Sequence, residues 1–140
     1  MHVLEVADLI KNHNAMPILR GVSLTLEKRE RVALLGPSGC GKPLLNCIGG
    51  LDLADGGTVR VFGGSPFESA SRLGVGVMMQ DVALAPTLTG REQIELARSA
   101  YRAPLAVEET LALTATAALA DRRYGKLSAG QKRQIQFAIA

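Results

Sequence analysis

The chain has 140 residues, enough for one domain with a hydrophobic core, and its 47% hydrophobic and 21% charged residues are typical of a soluble globular protein. The sequence contains no apolar run near the roughly 20 residues of a membrane-spanning helix, and its start lacks a signal-peptide pattern. The two cysteines, Cys40 and Cys47, exclude a disulfide framework and favour a reducing, cytoplasmic setting. The net charge of +3 is concentrated in residues 121–140, which carry five basic residues and one acidic residue. Such a cluster indicates either a solvated helix face or an anion site.

The first half of the chain predicts strands and one helix. "VSLTLE" alternates polar and apolar residues, whereas two apolar runs have the composition of strands buried on both faces. The predicted strands are 22–27, 31–36 ("RVALLG"), 58–62 and 73–80 ("LGVGVMMQ"). A helix is predicted after Lys42, ending at Gly49-Gly50. Its apolar face is predicted to comprise Leu44, Leu45, Ile48 and Leu51.

The second half predicts helices. Thr89 and Glu92 have the spacing of a capping box and predict a helix through residues 92–102. Another helix is expected within 105–120. Ser128 and Gln131 repeat the capping-box spacing and predict a last helix to residue 140. Strands followed by helices, with a glycine loop between a strand and a helix, favour an α/β nucleotide-binding core with a helical insertion.

The stretch "GPSGCGK", residues 36–42, matches most of a phosphate-binding loop. The pattern requires glycine, four residues of any type, then Gly-Lys and a hydroxyl residue. Gly36, Gly41 and Lys42 fit, and the loop lies between a predicted strand and a predicted helix. In that setting backbone N–H groups, the helix dipole and the lysine charge all favour phosphate. The alternative is a glycine-rich turn without a ligand.

Pro43 occupies the position of the hydroxyl residue. Proline is tolerated in the first turn of a helix, so the fold is expected to form. The change removes a Mg²⁺ ligand and one backbone N–H group. Losing one hydrogen bond to a charged group costs about 1.5–3 kcal/mol, or about 10- to 100-fold in affinity. We therefore expect weakened binding of nucleotide.

Three motifs in this order, "GPSGCGK", "VMMQDVALAPTLTGRE" and "LSAGQKRQ", resemble the nucleotide-binding domain of ATP-binding cassette (ABC) transporters. The resemblance runs from about residue 4 to the end of the chain. It implies an α/β fold, a P-loop NTPase core of ABC type with N-terminal antiparallel β strands and a helical subdomain, incomplete at the C-terminus. The expected division is a β-rich core over 1–86 and a helical subdomain over 87–140, together a partial nucleotide-binding domain.

The resemblance implies ATP and Mg²⁺ as cofactors and assigns the site residues. His13 corresponds to the aromatic that stacks on adenine, although an exposed turn histidine is an equal alternative. Lys42 and Gln80 are the catalytic candidates, and Gln80 is also the metal candidate. Ser128, Ala129, Gly130 and Gln131 form the signature motif, which acts on the ATP of a second domain. The nucleotide-binding set is His13, Gly36, Pro37, Ser38, Gly39, Cys40, Gly41, Lys42, Pro43, Leu44 and Gln80.

The implied partners are a second nucleotide-binding domain and a membrane permease, with no nucleic acid. The expected location is the cytoplasm, peripheral on the inner face of the cell membrane. The stretches "LTGREQIELARSAYR" and "RYGKLSAGQKRQIQFAIA" resemble most closely the branch that drives multidrug and antibiotic exporters. A soluble ABC protein without a permease is a further alternative, which usually has long insertions or tandem domains.

The chain departs from the family pattern in four places. One residue, Pro43, stands where the family has two hydroxyl residues, so the following helix is rotated by about 100° unless the backbone adjusts. Ala129 replaces a signature glycine. Arg29 stands where a turn glycine is common, and arginine is expected to be strained there if the turn needs a positive φ. The Walker B aspartate and catalytic glutamate lie further on in the family. We therefore expect an ATPase by family whose chain as given is inactive. The alternative is a degenerate or truncated nucleotide-binding module without ATPase activity, which binds ATP weakly or only folds.

Overall fold

The computed structural model describes residues 2–36, 39 and 41–140 of the chain. They form two compact units, Met1–Val75 and Gly76–Ala140. Within the described ranges, no helix combines the length and apolar character needed to cross a membrane.

A three-stranded antiparallel sheet is the frame of the first unit. Its strands are β1 (His2–His13), β2 (Met16–Glu27) and β3 (Gly56–Val61), in the order β2-β1-β3. The predicted strand 22–27 is the second half of β2, and β3 includes residues 58–61 of the predicted strand 58–62. Both of these strand predictions are confirmed.

A two-residue turn connects β1 to β2. Asn14 and Ala15 both have positive φ, 50° and 63°, which is the pattern of a type I′ hairpin turn. This turn matches the right-handed twist of the two strands and pairs His13 with Met16. It therefore fixes His13 at the end of β1, beside the tip of the hairpin.

Helix α1 (Gly41–Ile48) contributes to the core of the first unit. The buried cluster consists of Val6, Leu9, Leu19, Leu44 and Cys47. Leu44 and Cys47 are three residues apart and therefore lie on one helix face. Leu45 and Leu51 are each 56% exposed, so the predicted apolar face is wrong for these two residues. Leu45 points away from the cluster because one residue corresponds to about 100° of helix rotation.

Gly50 allows the chain to leave α1 as predicted. Its φ is +66°, and a Cβ at this position would lie 2.3 Å from the carbonyl oxygen of Pro66. Only glycine fits both the conformation and the space. A four-residue helix, α2 (Ser69–Arg72), follows β3.

Arg29 adopts the left-handed conformation that the family's turn glycine predicts, with φ of 69°. A residue with a Cβ is strained there by about 1 kcal/mol or more. The positive φ on which the predicted strain depends is therefore present.

Two predicted strands do not form. Residues 30–36 and 75–79 have no regular secondary structure, and their apolar side chains are exposed, for example Leu35 (93%) and Val77 (49%). A strand buried on both faces needs neighbouring strands to satisfy its backbone groups. In the described residues the only sheet is β2-β1-β3, and neither run pairs with it. The strand predictions for 31–36 and 73–80 are therefore wrong for this structure.

The second unit is helical, with α3 (Gly90–Arg98), α4 (Val107–Leu113) and α5 (Ala129–Ile139). Single 3₁₀ turns lie at Ala117–Leu119 and Tyr124–Lys126. All three predicted helices are present, although α3 ends at Arg98, four residues before its predicted end. Two buried clusters stabilise the unit: Leu119, Tyr124, Leu127 and Ile135, and Ile94, Leu111 and Ala120.

The predicted capping box at α3 is confirmed. The Thr89 hydroxyl accepts from the Glu92 N–H at 3.2 Å, and the Glu92 carboxylate accepts from the Thr89 N–H at 2.7 Å. The two Thr89 donors lower the pKa of Glu92 because they stabilise its charged form. The start of α3 is therefore fixed at Thr89.

Candidate functional site

The predicted phosphate loop leads directly into α1. Of its residues, Gly36, Gly39 and Gly41 are described, whereas Pro37, Ser38 and Cys40 lie outside the described residues. Gly39 has φ of +86°, a conformation that other residues rarely adopt. A Cβ built on Gly39 or Gly41 would meet nothing within 4 Å. Apart from chain neighbours, no described residue therefore occupies the space beside these two glycines.

Lys42 and Pro43 lie in the first turn of α1. Lys42 is exposed, and no described residue forms an ion pair with its ammonium group. Pro43 fits without breaking the helix because the first turn has no intrahelical acceptor for its missing N–H group. A free cation beside the N–H groups of a helix N-terminus fits a phosphate group.

Leu44 holds this turn against the sheet. Its side chain is 5% exposed and belongs to the buried cluster with Val6 and Leu9. The side chain therefore cannot face a nucleotide, and any contribution of Leu44 to binding would come from its backbone. Cys47, one turn further, is also buried, and burial raises the pKa of its thiol. The thiol stays protonated and serves packing.

His13 is exposed at the tip of the β1–β2 hairpin. Hydrogen bonds connect the end of β1, next to His13, to residues 52–55. The Lys11 ammonium donates to Asp52 at 2.8 Å and to the Leu53 carbonyl at 2.6 Å, and the Asn12 N–H donates to Asp55 at 2.6 Å. These bonds restrain the strand end and leave the imidazole accessible.

The ion pair between Lys11 and Asp52 changes the pKa of both residues. The hydrogen bond from Lys11 lowers the pKa of the Asp52 carboxyl, and the same bond raises the pKa of Lys11. Each group favours the charged form of the other. No sequence pattern indicates this pair, because the two residues are 41 positions apart and neither belongs to a motif.

Gln80 lies at an exposed bend in the second unit. Its side chain forms no hydrogen bond with any residue that the structure describes. An amide oxygen of this kind is a hard ligand that suits Mg²⁺, which prefers oxygen. Its backbone is restrained, because Arg133 of α5 donates to the carbonyls of Met79 and Gln80 at 3.0 and 3.2 Å.

The signature residues form the start of α5. Ser128 is the N-cap: its hydroxyl accepts from the Gln131 N–H at 3.3 Å, and the Gln131 side chain accepts from the Ser128 N–H at 3.0 Å. The predicted capping box is confirmed. No residue that the structure describes accepts a hydrogen bond from the Ser128 O–H group, so this group is available to a ligand. Ala129 and Gly130 follow in the first turn, and a Cβ on Gly130 would meet nothing within 4 Å.

Basic side chains accompany this helix start. Lys132 lies over the ring of the buried Tyr124, 5.6 Å from its centroid, which is within range of a cation–π contact. Lys126 and Arg133 flank the same helix, so the local potential favours an anion.

The predicted site residues are divided between the two units. His13, Gly36, Gly39 and residues 41–44 lie in the first, and Gln80 and residues 128–131 lie in the second. Arg133 was assigned to the basic cluster in the sequence, but its contacts with the Gln80 segment were missed. A hydrogen bond to a backbone carbonyl has no side-chain partner that a sequence pattern could reveal.

Comparison with known proteins identifies the family. The family model described as ABC transporter matches residues 19–140. The chain is 37% identical to the Fe(3+) ions import ATP-binding protein FbpC 2 of Rhodococcus jostii (strain RHA1), over 99% of this chain and 42% of that protein. It is 36% identical to the sulfate/thiosulfate import ATP-binding protein CysA of Methylococcus capsulatus (strain Bath), over 98% of this chain and 42% of the relative. The chain thus spans less than half the length of these relatives.

Solved structures agree with the fold. A structure described as the ATP binding subunit of an ABC transporter has a TM-score of 0.85 at 25% identity, over 99% of this chain and 61% of that one. The cbiO1 protein of Clostridium perfringens, part of the ABC transporter complex cbiONQ, has a TM-score of 0.74 at 21% identity, over 99% of this chain and 60% of that one. The predicted fold class is therefore confirmed.

The expected exporter branch is not supported, because these two curated relatives are import proteins by name. The two stretches that indicated exporters cover the start of the helical unit and the signature helix, and their pattern does not separate the branches. The family itself rests on the whole matched range. The chain belongs to the ABC transporter family and corresponds to part of its ATP-binding subunit.

Proposed function

We propose that this chain binds ATP with Mg²⁺ through residues 36–44, His13 and Gln80, as part of the ATP-binding subunit of an importer. The observation that carries the proposal is the first turn of α1. There the exposed Lys42 has no ion-pair partner among the described residues, and it follows Gly39, whose φ is +86°, and Gly41. A helix N-terminus and a free cation together favour the phosphate groups of a nucleotide.

Each residue has a distinct role in this proposal. Lys42 binds the terminal phosphates as a point charge, and His13 stacks on the base. Gln80 offers its amide oxygen to the metal and to the water that attacks the phosphate. Bound Mg²⁺ would neutralise phosphate charge. Pro43 supplies neither a hydroxyl nor an N–H group, so this chain binds more weakly than a version with hydroxyl residues there.

Residues 128–131 are proposed to act on the nucleotide of a second domain. The free O–H of Ser128 and the N–H groups of the first turn of α5 suit a terminal phosphate. Lys126, Lys132 and Arg133 add attraction for that anion. The partner is therefore a second nucleotide-binding domain, identical or related. We keep the functional boundary at residue 86, because it groups Gln80 with the phosphate loop.

The proposed biological role is import through a membrane permease. The two curated relatives are import ATP-binding proteins, and their named cargoes differ: ferric ions for one, and sulfate or thiosulfate for the other. Because the cargoes differ, we propose import as the direction of transport and assign no cargo. The subunit would lie in the cytoplasm, on the inner face of the membrane, bound to its permease and not to nucleic acid.

Hydrolysis is proposed for the parent protein and not for these 140 residues alone. None of the residues assigned to the site is a carboxylate, so no general base is available to take a proton from water. Gln80 can orient water but cannot act as its base. A chain of this kind binds nucleotide without turnover, which was the alternative left open by the sequence.

The test is equilibrium binding of a fluorescent ATP analogue to the chain and to two lysine variants. Lys42→Ala removes the proposed phosphate ligand and should weaken binding by about 10-fold or more, the loss expected for a charged hydrogen bond. Lys28→Ala is the matched control, since Lys28 is exposed in a turn of the same unit. It should bind like the unsubstituted chain. Equal affinities for all three proteins would contradict the proposal.

A further inference from the structure

Arg133 links the signature helix to the segment that carries Gln80. One guanidinium nitrogen, Nη1, donates to the carbonyl oxygens of Met79 at 3.0 Å and Gln80 at 3.2 Å. The same nitrogen also donates to the side-chain oxygen of Gln136 at 2.9 Å. Arg133 is exposed, yet its guanidinium is directed towards two neighbouring backbone carbonyls.

The guanidinium is anchored to the core of the second unit. Gln136, on the same face of α5, is 7% exposed, and its amide nitrogen donates to the hydroxyl of Tyr124 at 2.8 Å. Tyr124 is 5% exposed and packs with Leu127 and the fully buried Ile135. The hydrogen bonds from Tyr124 through Gln136 to Arg133 therefore begin in the buried core of the second unit.

The Gln80 segment forms few backbone hydrogen bonds with other described residues. Residues 75–79 have no regular secondary structure, and Met79 is 45% exposed. Within the described part of the chain, the bonds from Arg133 are the only hydrogen bonds recorded for the backbone of Met79 and Gln80. A bond to these carbonyls restrains the peptide planes that set the direction of the Gln80 side chain.

We infer that Arg133 is a positioning residue for Gln80. It holds the backbone of residues 79–80 so that the side-chain amide of Gln80 can reach the metal of a bound nucleotide. The inference rests on the proposed magnesium role of Gln80. Arg133 acts through Gln80 and does not itself contact metal or nucleotide. A merely solvated surface arginine would have no such effect.

The first readout needs no ligand. Backbone ¹⁵N relaxation of the chain reports the order parameter of the backbone N–H group of Gln80 on the picosecond-to-nanosecond timescale. In Arg133→Leu this value should fall from about 0.85, typical of rigid backbone, towards about 0.6. Arg102→Leu is the matched control, because Arg102 is exposed in the same unit and forms no ion pair with a described residue. It should leave the Gln80 value unchanged, and an unchanged value in Arg133→Leu would overturn the inference.

The second readout is the factor by which Mg²⁺ tightens binding of a fluorescent ATP analogue. Arg133→Leu should reduce this factor, which is the ratio of the affinities with and without Mg²⁺, by about 3- to 10-fold, the partial loss of a charged hydrogen bond. Gln80→Ala should have the same effect, and the double variant should show no further loss. Arg133→Lys keeps the charge and one donor nitrogen but has a shorter side chain, and should restore only part of the factor.

The outcomes separate the inference from the function on which it rests. Full Mg²⁺ enhancement in Arg133→Leu, with Gln80→Ala impaired, would overturn the inference and leave the proposed function intact. Additive losses in the double variant would also overturn it, because they show that Arg133 acts independently. Absence of nucleotide binding by the unsubstituted chain would overturn the proposed function itself, and the inference with it. Binding without any Mg²⁺ enhancement would overturn the metal role of Gln80, and the inference with it, but not the proposed binding of nucleotide.

Discussion

Leu44 and Leu45 are adjacent in α1 but differ in burial, at 5% and 56% exposed. Leu44→Ala removes three carbon atoms from the cluster with Val6, Leu9 and Leu19. At about 0.8 kcal/mol per buried methylene, the transfer loss is about 2.4 kcal/mol. The cavity left behind raises the total to about 3 kcal/mol. Leu45→Ala should cost at most about 1 kcal/mol, because less than half of its side chain is buried.

The assay is urea denaturation of the chain and both variants, with the midpoint and slope of each curve compared. Leu44→Ala should unfold at clearly lower urea than Leu45→Ala, with equal slopes. The comparison also tests the register of α1 after Pro43, since a helix rotated by about 100° would bury a different face. A loss from Leu45→Ala as large as that from Leu44→Ala would refute the packing described here.

Three further predictions concern the turns, caps and charges. Arg29→Gly should stabilise the chain by about 1 kcal/mol, raising its Tm by about 2–4 °C, because φ is 69° at this turn; an unchanged or lower Tm would contradict the strain. Thr89→Ala should cost about 1 kcal/mol through loss of the α3 cap, measured by urea denaturation, and a cost near zero would show that the cap contributes nothing. The lowered pKa of Asp52 stabilises the fold above the ordinary value of 3.8, and this contribution is lost as the pH falls through the lowered pKa. Tm measured from pH 6 to pH 2 should therefore fall more steeply for the unsubstituted chain than for Asp52→Asn, and parallel curves would exclude the Lys11–Asp52 bond as a source of acid sensitivity.

The sequence predicts those parts of the fold that depend on local chemistry. Ser128 and Gln131 satisfy each other's backbone groups within four residues, so their spacing alone locates the start of α5. Gly50 marks the end of α1 for the same reason, because a positive φ is a local property. The helix that begins beside Lys42 was correctly predicted from the apolar period that follows the glycine loop, although the strand expected before the loop does not form.

The sequence fails where the outcome depends on distant partners. The apolar run 31–36 has the composition of a buried strand, yet composition carries no information on whether a neighbouring strand is available to pair with it. Likewise, Leu45 satisfies a helical apolar period, but only the position of the sheet decides which side of that period is buried. The contact of Arg133 with the Gln80 backbone depends on tertiary structure, because 53 residues separate the two.

The central claim is that residues 36–44 form a phosphate site that Pro43 weakens. The most direct measurement is the affinity for a fluorescent ATP analogue, with and without Mg²⁺, of this chain and of a version in which two threonines replace Pro43. We predict that both bind, that the repaired version binds about 10- to 100-fold more tightly, and that Mg²⁺ strengthens its binding more. Equal affinities with equal Mg²⁺ enhancement would show that Pro43 does no damage, and failure of both proteins to bind would contradict the phosphate site itself.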